Sequence, residues 1–549
     1  MTAEFAAATR SAVHDLLHLN PVLATALGDH DGDHRLPDLT DGAVHDALLR
    51  IDDHVTTLDA LDDEELSREQ CVDLEILRAR LTAVRFDLAE IRRRQWDPLA
   101  WNPATAIHLL IARDFAPPEA RLRSVVARLN DVPRFLADAR STLREMSGLH
   151  VETAMAQLRG FASLLATAAP LADAAPGLSA SFASAAEAAQ AEVDRHVAWL
   201  GERLPESRWD PRLGVRLYSA ALWHNLDEEL TPVQVLEEAE RHLDSVVERM
   251  RDEAAILLGG SPREPDIVRR ALARIAAEAP VDDRTVLPIV REALARTTRF
   301  VRENDLVSLP DVETRVIEMP EYHRGVAVAY CDAPGPLEAA DVATYVAVAP
   351  TPADWDAGRV TSFYREYNAV LLHDLTVHEA MPGHVLQLAH ARGSGAPRSL
   401  VRRFGASGVF AEGWAVYAEE VMADRGYAPD DRADAARRLR LQQLKMQARM
   451  ALNAILDARV HGGDIDEAEA LALLTRRGFQ EESEAVGKWR RALLTATQLP
   501  TYFVGWRGVR GIAQDLRVLH PDWSDREIHD LMLSQGTVGP RHLRALLGL

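Results

Sequence analysis

The chain has 549 residues, 47% of them hydrophobic, and carries 84 acidic against 62 basic side chains for a formal charge of -22. So acidic a balance excludes nucleic acid and anionic membrane as expected partners, because both call for clustered positive charge. The only cysteines, Cys71 and Cys331, predict free thiols in a reducing compartment and no disulfide framework.

At the N-terminus, Glu4, Arg10, His14, Asp15 and His18 interrupt the apolar residues, which is not the pattern of a signal-peptide core. No apolar run of about 18 residues follows anywhere, so no membrane span is expected and a cytoplasmic address is. From here the chain reads as helix, rich in Ala, Leu, Arg and Glu. Residues 64–94 carry an amphipathic pattern. In 121–143, Val125, Leu129, Val132, Phe135, Leu136, Ala139 and Leu143 recur at three- and four-residue steps, with Asp131 and Pro133 suited to starting a new helix partway. The Ala-rich stretch 163–189 holds Pro170 and Pro176 and predicts two helices around a turn. Helical periodicity continues through 182–204, 231–258 and 265–278.

Between 306 and 350 the habit changes. Segments 313–317, 325–330 and 344–348 are short, alternating or β-branched and are bounded by Pro, Gly and Asp, which predicts a small sheet. Helices then resume. The expected architecture is mainly α, with a helical region at 1–300 and a metal-binding catalytic region at 301–549, together one compact unit.

The chemistry concentrates in His378-Glu379-Ala380-Met381-Pro382-Gly383-His384 and Phe410-Ala411-Glu412-Gly413-Trp414-Ala415. Two imidazoles and a carboxylate are the donor types of a catalytic zinc site, and Glu379, next to a ligand, suits a general base. The histidines stand six apart, not four. On a regular helix six steps rotate by about 240°, which points the two rings apart. Pro382-Gly383 supplies the remedy, since Pro removes a backbone donor and Gly tolerates unusual dihedrals; a local bulge in one distorted helix is predicted. Glu412 suits the third ligand and opens a helix over 412–422. Glu419, two turns on, has two readings: an acceptor that orients a ligating imidazole, or a solvated helix carboxylate. Leu371, Leu372, Leu375, Val377, Val385 and Leu386 make the surroundings of Glu379 apolar. A buried carboxylate beside histidines needs a partner, and a metal is the simplest one.

Residues 378–387 and 410–419 resemble the signatures of the domain-of-unknown-function 885 family, itself similar to gluzincin metallopeptidases and distantly to carboxypeptidase Taq and angiotensin-converting-enzyme-like peptidases. The resemblance implies one zinc on His378, His384 and Glu412, with Glu379 as base, in a mainly helical fold with a substrate cleft and a short sheet along one wall. Family members often carry a further His where this chain has Val385. Downstream, Asp457 and His461 fall in a segment resembling the family's Asp-Thr-Gly-Leu-His, and Arg491, Gln498 and Tyr502 fall where the family has Arg, Gln and Tyr. Asp457 is thereby expected to support the metal site, and Gln498 to face substrate. Phe503 replaces a Lys of that pattern and Thr497 a Gly.

An oxyanion donor is needed on the substrate side. Tyr502 is the first candidate, against an ordinary core aromatic; His461 is the second, against a helix-terminal His before Gly462-Gly463. Arg491 or Arg449 suits a substrate carboxylate, against surface residues. The expected function is cleavage of short peptides by water activated at zinc. A non-peptide amide in specialised metabolism is the alternative substrate, and a non-catalytic binding protein the third reading.

Overall fold

Helix formers dominate the composition, and helices dominate the computed structural model, which describes residues 3–319, 328–352, 355–393 and 399–549. Contacts divide the chain into two units. The first comprises Met1–Pro211 with Pro334–Val342 and Ser399–Gly405; the second comprises Arg212–Ala333, Ala343–Arg398 and Ala406–Leu549. The boundary expected at residue 300 therefore lies elsewhere.

In the first unit, helix α1 (Pro118–Thr142) packs along α2 (Ser179–Arg203). No new helix starts at Pro133; α1 runs through it. An interior proline costs about 3 kcal/mol. Leu129, Val132 and Leu136 on the same stripe are fully buried, at roughly 1.5–3 kcal/mol each, so packing outweighs the lost hydrogen bond. The Ala-rich stretch before α2 forms two short helices, Phe161–Thr167 and Ala169–Ala174, and a turn at Pro176–Leu178. Glu338 joins this unit through the His30 ring, whose nitrogens lie 2.8 Å from Asp33 and 3.0 Å from Glu338.

In the second unit, α3 (Pro232–Leu258) lies along α7 (Ala435–Gly462). That packing is why residues after 211 belong with the C-terminal half. Helix α7 is buried on all sides, as suits a central helix. The sheet has the order β1-β3-β2: β1 (Thr314–Glu318) is parallel to β3 (Thr344–Val348), and β2 (Ala329–Asp332) is antiparallel to it, with Cys331 opposite Val346. Of the expected strand 325–330, residues 325–327 lie outside the described residues.

Helices α4 (Ala369–Glu379), α5 (His384–Arg392), α6 (Gly408–Asp424), α8 (Glu482–Leu494) and α9 (Thr501–Leu519) complete the surroundings of the histidine motif. Where α6 meets α9, two glycines let the backbones touch. A Cβ on Gly413 would stand 2.2 Å from the Gly505 carbonyl carbon, and one on Gly505 would stand 2.0 Å from the Val409 carbonyl oxygen. Gly505→Ala is expected to destabilise the protein by roughly 1–3 kcal/mol, the range for overpacking. It would be read as a lower urea midpoint at unchanged slope; an unaltered midpoint would show that the helices can separate freely.

Candidate metal centre

Helix α4 stops at Glu379 because the next residues cannot continue it. Ala380 takes φ -125 and ψ -88, Pro382 has no N–H to give, and Gly383 donates instead to the Val377 carbonyl at 2.9 Å. A Cβ on Gly383 would lie 1.9 Å from the His378 carbonyl oxygen, so the turn admits only glycine. The Trp414 indole donates to the Pro382 carbonyl at 2.9 Å and pins the turn from α6. The bulge expected within one distorted helix is thus a break between two helices. His378 ends one and His384 begins the next, their ring centroids 4.8 Å apart at an interplanar angle of 86°.

Ser407 caps α6 by accepting from the Phe410 N–H, which sets Glu412 in the following turn. Glu412 Oε2 lies 3.3 Å from His378 Nε2 and 3.5 Å from His384 Nε2, and one donor atom from each residue falls within 4.8 Å of the others. Bonds of about 2.0–2.1 Å to a tetrahedral ion separate its donors by about 3.3–3.4 Å. Among the described residues Glu412 Oε2 is buried and has no hydrogen-bond partner, so it has a lone pair to give. The donor set fits a small divalent cation. Burial opposes the charge on Glu412, yet the two imidazoles hold its carboxyl far below the usual range.

Glu419 Oε1 lies 2.6 Å from His378 Nδ1, and the residue is 2% exposed. That excludes the solvated reading. By accepting from Nδ1–H it leaves the Nε2 lone pair facing Glu412 and His384, open to a metal ion. Glu379 is fixed from the sheet: its Oε2 accepts from the Cys331 N–H at 2.9 Å. Burial raises its carboxyl above the ordinary value, against the pull of His378 and His384. Tyr502 stands with its ring centroid 6.5 Å from that of His378. Arg491 Nη2 donates to Gln498 Oε1 at 2.7 Å and reaches the Tyr502 hydroxyl at 3.5 Å, so these three lie together on that flank.

Three expectations are corrected. His461 is 1% exposed; its Nδ1 accepts from the Leu213 N–H and its Nε2 donates to the Thr495 carbonyl at 2.9 Å. An imidazole so held by main chain at both nitrogens supports the fold and is not an acid for substrate. Asp457 orients no ligand: it accepts from the Tyr218 hydroxyl at 2.8 Å and the Thr497 N–H at 2.9 Å. Burial raises its carboxyl to about 7. It anchors the turn before Gln498, where Thr497 has a φ of 63. Arg449 is committed to Glu484 and to the Tyr367 hydroxyl, so it is not open to substrate.

Two contributors were missed. Cys331 acts through its backbone N–H, which residue type cannot signal. Trp414 lies outside the donor pattern, although a buried indole N–H needs an acceptor, and that is the available clue. Since Glu419 sets the His378 tautomer, Glu419→Gln should weaken zinc binding about tenfold or more, in the range for such supporting residues. Competition with a chelator would measure it; unchanged affinity would reduce Glu419 to a packing role.

The family described as bacterial protein of unknown function (DUF885) matches residues 21–547. No curated protein matches the chain significantly. A protein of Shewanella oneidensis, provisionally named a lipoprotein of unknown function, is 28% identical with a TM-score of 0.80, covering 99% of this chain and 100% of that one. A provisionally named lipoprotein of Colwellia psychrerythraea is 16% identical with a TM-score of 0.81, covering 99% of this chain and 98% of that one, a likeness of fold alone. The break that joins His378 to His384 and the helix that carries Glu412 fall inside a match spanning nearly the whole sequence, and the chain belongs to the DUF885 family.

Proposed function

We propose that this protein is a zinc-dependent hydrolase of gluzincin type that cleaves amide bonds in short peptides. The observation that carries the reading is the convergence of His378 Nε2 and His384 Nε2 on Glu412 Oε2 at 3.3 and 3.5 Å, with a second carboxylate, Glu379, beside them. When bound, the ion supplies Lewis-acid polarisation of the amide carbonyl and acidifies water.

The protein's own groups divide the remaining work. The Cys331 N–H holds Glu379 by Oε2, so Oε1 takes the proton of the attacking water and passes it to the leaving amine. Its raised carboxyl makes it a stronger base than an exposed glutamate. The Tyr502 hydroxyl donates to the oxygen on which charge develops, and the Arg491 guanidinium next to it favours that charge. Glu419 keeps His378 in one tautomer throughout.

A second reading keeps these groups and changes the substrate to a non-peptide amide. Its support is Phe503, which takes the place of a polar residue in the family pattern and packs in the core against His242 and Trp506. Cytoplasmic location belongs to the proposal as well; the lipoprotein names concern the two similar proteins.

Glu379→Gln preserves size and removes the base. Turnover of a short-peptide library should fall by about 10²–10⁴-fold, the usual contribution of a positioned base, at unchanged metal content. Undiminished turnover in that variant would refute the assignment. Wild-type protein that ignores peptides and cleaves other amides would favour the second reading.

A further inference from the structure

Beside Tyr502 the second unit gathers more positive charge, part of it buried, than nearby carboxylates match. Along α8, Glu484, Lys488 and Arg491 follow at steps of four and three, which sets them on one stripe. Lys488 is 4% exposed, and its one carboxylate contact among the described residues is Glu484 Oε1 at 3.9 Å, the outer limit of an ion pair. That carboxylate is already taken by the Arg449 guanidinium, and its other oxygen accepts from the Tyr367 hydroxyl at 3.4 Å. Nearby, Lys445 is matched by Glu366 at 2.9 Å. Among the described residues the Arg491 guanidinium touches the neutral oxygens of Gln498 and Tyr502 and no carboxylate.

Among the described residues four cations thus share two carboxylates, and the two left short are Lys488 and Arg491, the latter next to Tyr502. A buried ammonium without a close counter-ion is costly unless something else supplies the charge. Burial, reinforced by Arg449 and Arg491, pushes the Lys488 ammonium well below its usual pKa, a tendency that an entering anion reverses. Gln498 offers Arg491 a neutral oxygen of the kind a carboxylate would present with charge.

We propose that Lys488 and Arg491 form a carboxylate-binding subsite beside Tyr502, so that the preferred substrate is an amide that also carries a carboxylate. The word substrate rests on the hydrolase reading; the anion pocket does not. Arg491 supplies a planar fork for the two oxygens and Lys488 a point charge. The carboxylate can come from the free C-terminus of a peptide or from an acidic side chain.

The test is calorimetric binding to metal-free full-length protein. The ligands are Ala-Ala-Ala as the free acid, the same peptide as its C-terminal amide, and Ala-Asp-Ala amide. The free acid should bind at least about tenfold more tightly than the neutral amide, as a charge-assisted contact implies. Equally tight binding of the Asp peptide would assign the pocket to side-chain carboxylates as well; weak binding would assign it to the C-terminus. Lys488→Met and Arg491→Gln should each erase the preference, and Lys488→Met should not lower the melting temperature, since it removes a poorly matched charge. Equal affinity for acid and neutral amide, including none for either, would overturn the proposal. So would a Lys488→Met protein that keeps the preference. Zinc uptake and peptide turnover, measured on the same proteins after zinc is restored, separate the two ideas. Acid preference without zinc binding would leave the pocket and remove the hydrolase, while zinc and turnover without acid preference would do the reverse.

Discussion

Everything at the candidate centre depends on the interruption of one helix between Ala380 and Gly383. Residues six apart on a continuous helix point away from each other. The chain leaves helical geometry after Glu379 and re-enters it at His384, which turns the second imidazole back toward the first. Gly383 is held against the His378 carbonyl with no room for a side chain, and Trp414 ties Pro382 to the helix that carries Glu412. The Gly413–Gly505 contact then seats that helix against α9, which carries Tyr502. Backbone constraints at a few positions thus fix the side chains that would do the chemistry.

Charge is the second constraint. Glu379, Glu412 and Glu419 surround His378, and Asp374, one turn before it, is 1% exposed. Burial and the neighbouring Glu419 push the Asp374 carboxyl well above its usual range. Among the described residues, two imidazoles face the other three carboxylates, and the Cys331 N–H bonds one of them. Buried negative charge on this scale is retained where a cation offsets it. On the opposite flank the sign reverses, with Lys488 and Arg491 undersupplied with anions. A bound ion at the first and an anionic ligand group at the second would balance both.

The helical class was legible because amphipathic periodicity is local: residues 182–204, 231–258 and 265–278 lie close to α2, α3 and the helix Ile267–Glu278. Strands 313–317 and 344–348 were legible from β-branched alternation. The candidate metal donors were legible because their chemistry is written in residue type, and Glu419 because a helix repeats at seven. What failed was long-range. Pro133 inside α1 is decided by packing, and the boundary at Pro211 by which helices touch. His461 and Asp457 sit in a motif segment, yet their partners, Leu213, Thr495, Tyr218 and Thr497, are named by no spacing rule. Arg449 has the right chemistry for a substrate, but Glu484 claimed it first.

The central claim is that the broken helix builds a metal site. It is tested most directly by elemental analysis of protein purified without added metal, alongside His384→Ala. The account predicts about one zinc per chain in the wild type, as three protein ligands and an open position imply, and its loss in a variant that remains folded. No metal in the wild type, even after zinc is offered, or equal zinc in both proteins, would contradict it.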